Sequence, residues 1–303
     1  MRSSNNPNEQ RRSLCVDKWN LIVDVARCEN CHNCDLATKD EHIGNEFPGY
    51  AAAQPPHGHD WIRITRRVRG DAHMVDVAYL PTTCNHCDEA PCIAAAGDGS
   101  IYKRADGIVI IDPEKAKGRK DLVDSCPYGA IQWNEERRLP QKWIFDAHLL
   151  DQGWKEPRCV QVCPTGALKA VKADESAMER IVRDEGLEVL RPELGAKPRV
   201  YYKNLDRYSK SFIGGTALQI RDGRKECAEG VAVTLRSPEG SERHALSDAF
   251  GDFKFDGLEP NSGAYSVRIT AEGSERVIPG IYLKEESIYL GEILSMINSS
   301  TTE

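Results

Sequence analysis

Three cysteines with two residues between neighbours, Cys28, Cys31 and Cys34, stand in the stretch CENCHNCDLATKDEH. A second triplet, CNHCDEAPC, holds Cys84, Cys87 and Cys92. Two more cysteines each precede a proline, Cys126 in SCPYGA and Cys163 in VCPTGA, and Cys159 lies just ahead of the latter. Of the eleven cysteines, Cys15 and Cys227 stand apart from these groups. Thiolates are soft ligands suited to iron–sulfur chemistry. Three of them on one tight loop can hold three corners of an iron–sulfur cube but cannot surround it. In two-cluster ferredoxins the fourth ligand comes from the Cys-Pro cysteine of a distant run. Two triplets and two Cys-Pro sites therefore make two complete sets, and spacing alone leaves open which belongs to which. Zinc would call for two pairs of ligands, a pattern that triplets and lone Cys-Pro residues fit poorly.

The rest of the chain bounds the setting for this chemistry. With 303 residues it is long enough for two domains, and a hydrophobic fraction of 40% is enough for packed cores. A net charge of -7 argues against a general nucleic-acid binder. No apolar run approaches the length of a membrane span. Arg11-Arg12 suggests twin-arginine export, but Asp17, Lys18 and Asn20 stand where an apolar segment would have to follow. Residues 1–20 are therefore expected to be a disordered polar extension, and the protein cytoplasmic, where cysteines read as metal ligands before disulfides.

The elements that must position the cysteines can be read from pattern. WNLIVDVARC is a strand leading into the first cysteine loop, and SIYKRADGIVIID a hairpin turning at Asp106-Gly107. Residues 35–83 form a long insertion. Within it, His57 and His59 could bind metal, but a solvated loop beside Pro55-Pro56 is the expectation. Arg63 to Arg69 alternate with Ile62, Ile64 and Val68, which predicts a strand with one charged, solvated face. ADESAMERIVRDEGLEVL reads as an amphipathic helix with Met178, Ile181 and Val182 inward. KPRVYYKNL reads as the extended segment closing this domain. After about Ser211 short alternating runs, separated by turns such as Pro238-Glu239-Gly240, predict a small antiparallel β-sandwich. Nothing in the sandwich suggests chemistry, since His244 is lone and Cys227 unpaired, and docking is its expected work. The expected class is α+β: residues 21–210 an iron–sulfur domain, 211–297 the sandwich and 298–303 a tail.

The four cysteine motifs resemble those of the iron–sulfur subunits of molybdopterin oxidoreductases of the dimethyl-sulfoxide-reductase type. The stretches GIVIIDPEKAKG, CPYGAIQWNEE, AHLLD and GLEVLRPELGAKPRVYYKNL are similar to one branch of that family. That branch comprises the small subunits of pyrogallol–phloroglucinol transhydroxylase and resorcinol hydroxylase. The resemblance runs from about Leu21 to the end and implies a double ferredoxin-like domain. It implies that Cys28, Cys31, Cys34 and Cys163 hold one [4Fe-4S] cluster, and Cys84, Cys87, Cys92 and Cys126 a second. Two further sites of the family are broken. One would need positions occupied by Ala96, Ala116, Arg119 and Leu122. The other would need positions occupied by Thr38, Trp143, Asp146 and Cys159. Thr38 thus belongs to a site this chain is expected to have given up, with Trp143 filling part of the volume; the alternative is an unusual cluster held partly by oxygen ligands, which is disfavoured because iron–sulfur sites are overwhelmingly thiolate-held. The C-terminal part resembles prealbumin-like or carboxypeptidase-regulatory domains.

The resemblance further implies an electron-transfer subunit whose partner is a large catalytic subunit carrying molybdenum or tungsten with a pterin. That complex would hydroxylate or transhydroxylate polyhydroxylated aromatics in anaerobic metabolism. The chain shows no nucleophile–base constellation, so no catalytic residue of its own is expected. Two other readings stand beside this one: an interaction subunit with mainly structural clusters, and an independent ferredoxin-type carrier.

Overall fold

A computed structural model of the chain describes residues 16–271 and 274–297. The expected N-terminal extension, with Cys15 and the arginine pair, lies outside the described residues except for residues 16–20, and the tail 298–303 lies outside them altogether. The described residues form two compact units, residues 16–65 with 79–205, and residues 66–78 with 206–271 and 274–297. Residues 66–78, which pattern alone leaves within 21–210, cluster with the second unit.

The first unit is organised around β1 (Lys18–Asp24), whose Leu21, Ile22 and Val23 are all buried. Burial on both faces is what a central strand requires. After it come α1 (Asn33–His42) and the short helix α2 (Pro91–Ala96); between them the paired strands β2 (Arg63–Asp71) and β3 (Met74–Thr82) carry the chain into the second unit and back. The hairpin of β4 (Ile101–Lys103) and β5 (Val109–Ile111) turns at the expected place. A second hairpin joins β6 (Gln132–Asn134) to β7 (Leu139–Gln141). Helices α3 (Ala147–Asp151) and α4 (Arg158–Gln161) precede β8 (Leu168–Ala173). β8 lies antiparallel on one side of β1, and β9 (Val200–Lys203) parallel on the other. Between them α5 (Glu175–Glu185) starts at Asp174, whose carboxylate accepts from the Ala177 amide at 2.7 Å, an N-cap. Its Met178 is buried with Ile22 and Leu187, and Ile181 and Val182 pack alongside, as the helical spacing predicts.

The second unit is almost entirely strand. β10 (Ser211–Arg221), β11 (Arg224–Cys227), β12 (Ala232–Arg236), β13 (Glu242–Leu246) and β14 (Asp252–Leu258) come first. β15 (Gly263–Ala271), β16 (Ser274–Leu283) and β17 (Ile288–Ile297) complete two four-stranded sheets. Phe253, Phe255 and Ile293 of one sheet share a core with Val233, Val267 and Ile269 of the other. The expectation of a purely antiparallel sandwich needs one correction: β17 lies parallel to β10. Alternation reports which face of a strand is buried but not its direction, so this pairing was not legible. Close approach explains one glycine here. A Cβ on Gly70, where φ is +84°, would sit 2.1 Å from the Met74 carbonyl oxygen and 2.5 Å from Phe212 Cζ.

The basic run also departs from expectation. Arg63 to Arg69 do lie on a strand, but the Arg69 side chain is fully buried, bonding Asp256 Oδ1 at 2.8 Å and also Asp76. Burying a guanidinium is costly unless carboxylates meet it, and both arrive from segments distant from the run or across its turn.

Candidate metal centres

The first cysteine group is assembled by a strand pair. β1 leads into the loop carrying Cys28 and Cys31, and Cys34 falls in the first turn of α1. Asn30 and His32 take left-handed backbone, with φ of 59° and 61°, which curls the loop tightly. Cys163 sits just before β8. Because Val23 of β1 pairs with Leu168 of β8, the loop after one strand meets the loop before the other. The sulfurs of Cys28, Cys31 and Cys163 all lie within electrostatic reach of Cys34. Cys31 is exposed, Cys28 and Cys163 half-buried and Cys34 buried, so this group stands at the surface of its unit.

The second group lies deeper. Cys84 and Cys87 occupy the loop after β3, and Cys92 follows the proline that starts α2. Cys126 comes after the 3-10 turn Lys120–Leu122. All four line one pocket. Among the described residues no three His, Cys, Asp or Glu side chains converge on a point suited to a single ion. Thiolates around a four-iron cube cage a volume and stand wider apart than ligands on one ion.

The donor chemistry fits such a cube. Burial, with neighbouring sulfurs adding to it, pushes the Cys34 and Cys87 thiols up to about 12 and Cys92 to about 11. Crowded thiols of this kind give up their protons to a metal centre. Backbone amides already face them: Asn30 donates to Cys28, Asp35 to Cys34, Ile93 to Cys92, and both Tyr128 and Ala130 to Cys126. Amide donors favour a thiolate over a thiol.

The two sets of positions expected to be lost sites are filled in different ways. Ala96, Ala116 and Leu122 join Ile101, Val109, Ile111, Ile131 and Leu139 in an apolar cluster. Arg119 turns outward to pair with Asp98 and Asp121. The other site is polar and sealed. Thr38, Trp143, Asp146 and Cys159 are each wholly buried. The Thr38 hydroxyl donates to the Cys34 carbonyl at 2.9 Å. Asp146 meets His42 Nε2 at 3.3 Å and accepts from the Arg158 amide at 2.8 Å. Burial, then the facing Asp146 carboxylate, raises the Cys159 thiol well above its ordinary value. Trp143 packs against Phe145 at 4.7 Å and His86 at 5.6 Å between ring centroids.

Of the histidine pair, His57 is exposed, whereas His59 is buried, with Nε2 3.0 Å from the Trp133 carbonyl. The expectation of a solvated loop holds for the first residue only, because the loop folds back onto β6.

Sequence reasoning missed three residues around the second group. His86, Lys103 and Lys142 carry no spacing signal; His86 lies inside CNHC, where it reads as filler. The Val109 amide donates to His86 Nδ1 at 3.0 Å. A bare Nδ1 places the ring proton on Nε2, which has no partner. Burial, followed by Lys142 and Lys103, holds this ring neutral. Lys103 Nζ donates to the Cys87 carbonyl at 2.8 Å and pairs with Asp88 at 2.9 Å.

A sequence profile of the 4Fe-4S dicluster domain matches residues 75–173. The chain is 44% identical over 281 residues to the pyrogallol hydroxytransferase small subunit of Pelobacter acidigallici, covering 92% of this chain and 99% of that one. Against a tetrathionate reductase subunit of Salmonella typhimurium the identity is 30%, over 62% of this chain and 73% of that one. Against the arsenate respiratory reductase iron–sulfur subunit of Shewanella it is 25%, over 60% and 94%.

Proposed function

This chain belongs to the iron–sulfur electron-transfer subunits of molybdopterin oxidoreductases of the dimethyl-sulfoxide-reductase type, and from that premise we propose that it serves a large catalytic subunit acting on a polyhydroxylated aromatic. The partner carries molybdenum or tungsten on a pterin. Cys28, Cys31, Cys34 and Cys163 are the ligands of one [4Fe-4S] cluster; Cys84, Cys87, Cys92 and Cys126 are those of the other. Bound there, each cube supplies a one-electron carrier.

The observation that carries this reading is the meeting of remote cysteines. Cys163 lies with the 28–34 loop, and Cys126 with Cys84, Cys87 and Cys92 around one cavity. The chain's own part is to hold the thiolates, direct amides at their sulfurs and keep water from the inner group. The substrate class rests on the pyrogallol hydroxytransferase relative. A hydroxylation of resorcinol type releases two electrons, which two one-electron sites can hold. A transhydroxylation moves no net electrons, which favours the second reading, an interaction subunit with mainly structural clusters.

The C-terminal unit is read as a prealbumin-like docking module. Its two packed sheets and the exposed Leu246 and Phe250 support that reading. Among the described residues no helix is long and apolar enough to cross a membrane. The complex is taken to be cytoplasmic because the grouped cysteines read as metal ligands rather than disulfides.

Iron and sulfide analysis of the complex purified with its large subunit tests the proposal. Eight irons in this subunit are expected, with two reduced signals that form and vanish on the catalytic timescale. Twelve irons, or purification without a molybdopterin protein, would overturn it. Eight irons that never change oxidation state would leave the structural reading.

A further inference from the structure

Lys142 is a buried cation without a counter-ion. Only 2% of the residue is exposed. Its ammonium donates to two carbonyls, those of Val109 and Trp143. Among the ion pairs of the described residues it has none, in contrast to Lys103, which meets Asp88. An ammonium removed from water and met only by neutral dipoles is destabilising. Lys142 nevertheless lines the cavity of Cys84, Cys87, Cys92 and Cys126, and its charge acts on Cys92 and Cys126. His86, whose Nε2–H has no partner, lines the same pocket.

The first group has no such wall. Glu29 is the charged side chain acting on Cys28. The Arg27 guanidinium lies 3.2 Å from where a Cβ on Gly166 would sit, but Arg27 is exposed and screened by water.

We infer that Lys142, supported by His86, is a positioning residue that holds up the reduction potential of the second site, the buried ammonium being the counter-charge to an anionic thiolate-bound cube. Burial by itself disfavours adding an electron there, since the added charge is poorly solvated. A fixed positive charge acting on the thiolates, with an unpaired N–H on the His86 ring that lines the same pocket, offsets that penalty. The inference rests on the ligand set proposed above.

The test uses the whole complex. Lys142→Gln keeps donors for the two carbonyls and removes the charge; Lys142→Arg keeps the charge. Iron analysis comes first: fewer than eight irons in the wild type would sink the ligand set and the inference built on it. With eight irons present, an EPR-monitored redox titration is expected to show one potential falling in Lys142→Gln while the other stays put. The fall should reach at least about tenfold in the reduction equilibrium, or about 59 mV for one electron. Lys142→Arg should restore it. Two unmoved potentials would overturn the inference alone, as would an equal fall of both. Loss of four irons in Lys142→Gln but not in Lys142→Arg would support it, the charge then being needed to retain the group. If both variants lose iron, pulsed EPR of ¹⁵N-lysine-labelled wild type decides. A nitrogen coupling on one reduced signal supports the inference, and its absence from both overturns it.

Discussion

Asp146 and His42 meet at 3.3 Å in a site where neither side chain is exposed. The same carboxylate accepts from the Arg158 amide, so removing it strands two buried partners. Asp146→Ala should destabilise the protein by about 1–3 kcal/mol for each group left unsatisfied, read as a lower melting temperature. The iron count should remain at eight. A loss of four irons with the melting temperature unchanged would mean that Asp146 holds metal.

Cys159 and Cys163 are neighbours with opposite expected roles. Cys159→Ala removes one fully buried sulfur and should cost about 1 kcal/mol, as small core truncations do, with both reduced signals intact. Cys163→Ala should delete one signal and four irons. Equal iron content in the two variants would refute the assignment.

Leu122, one of the four positions that the family resemblance reads as a lost site, is wholly buried among Ile101, Ile111 and Leu139. Leu122→Ala should lower stability by about 2–5 kcal/mol and Leu122→Met by less than about 1.5 kcal/mol. Denaturant midpoints followed by tryptophan fluorescence would check the ranking. A milder effect of the alanine than of the methionine would argue against an apolar filling.

The buried Arg69 makes a pH-dependent prediction. Burial alone would raise Asp76 and Asp256; hydrogen bonds from Arg69 to both, from Arg207 to Asp76 and from Lys254 to Asp256 hold each below the usual carboxylate range. A depressed carboxyl stabilises the fold fully above its unfolded value, about 3.9 for aspartate, and that contribution disappears as pH falls through the depressed value. Arg69→Met should therefore lower the melting temperature most near neutrality. The gap from wild type should hold steady above about pH 5 and narrow as the pH falls below about 4. A gap independent of pH would show that Arg69 acts through packing alone.

What could be read from the sequence was local. Triplet spacing and the Cys-Pro pairs mark the cysteine groups because each loop brings its thiolates together within a few residues. Met178, Ile181 and Val182 were legible because one helix face fixes them. The environment was not. Arg69 looks solvated until Asp256 arrives from another strand. His86 and Lys142 acquire meaning only when β5 lends one an amide and the other a carbonyl. The parallel pairing of β17 with β10 left no trace in alternation.

On the proposed ligand sets, the β1–β8 pairing also dictates an order of assembly. Cys84, Cys87, Cys92 and Cys126 are together on a growing polypeptide well before Cys163 has left the ribosome. The cysteines translated first must wait for the strand at Leu168–Ala173 to zip against Lys18–Val23. A truncated nascent chain ending near residue 150 could mature its inner centre while its outer one stayed incomplete.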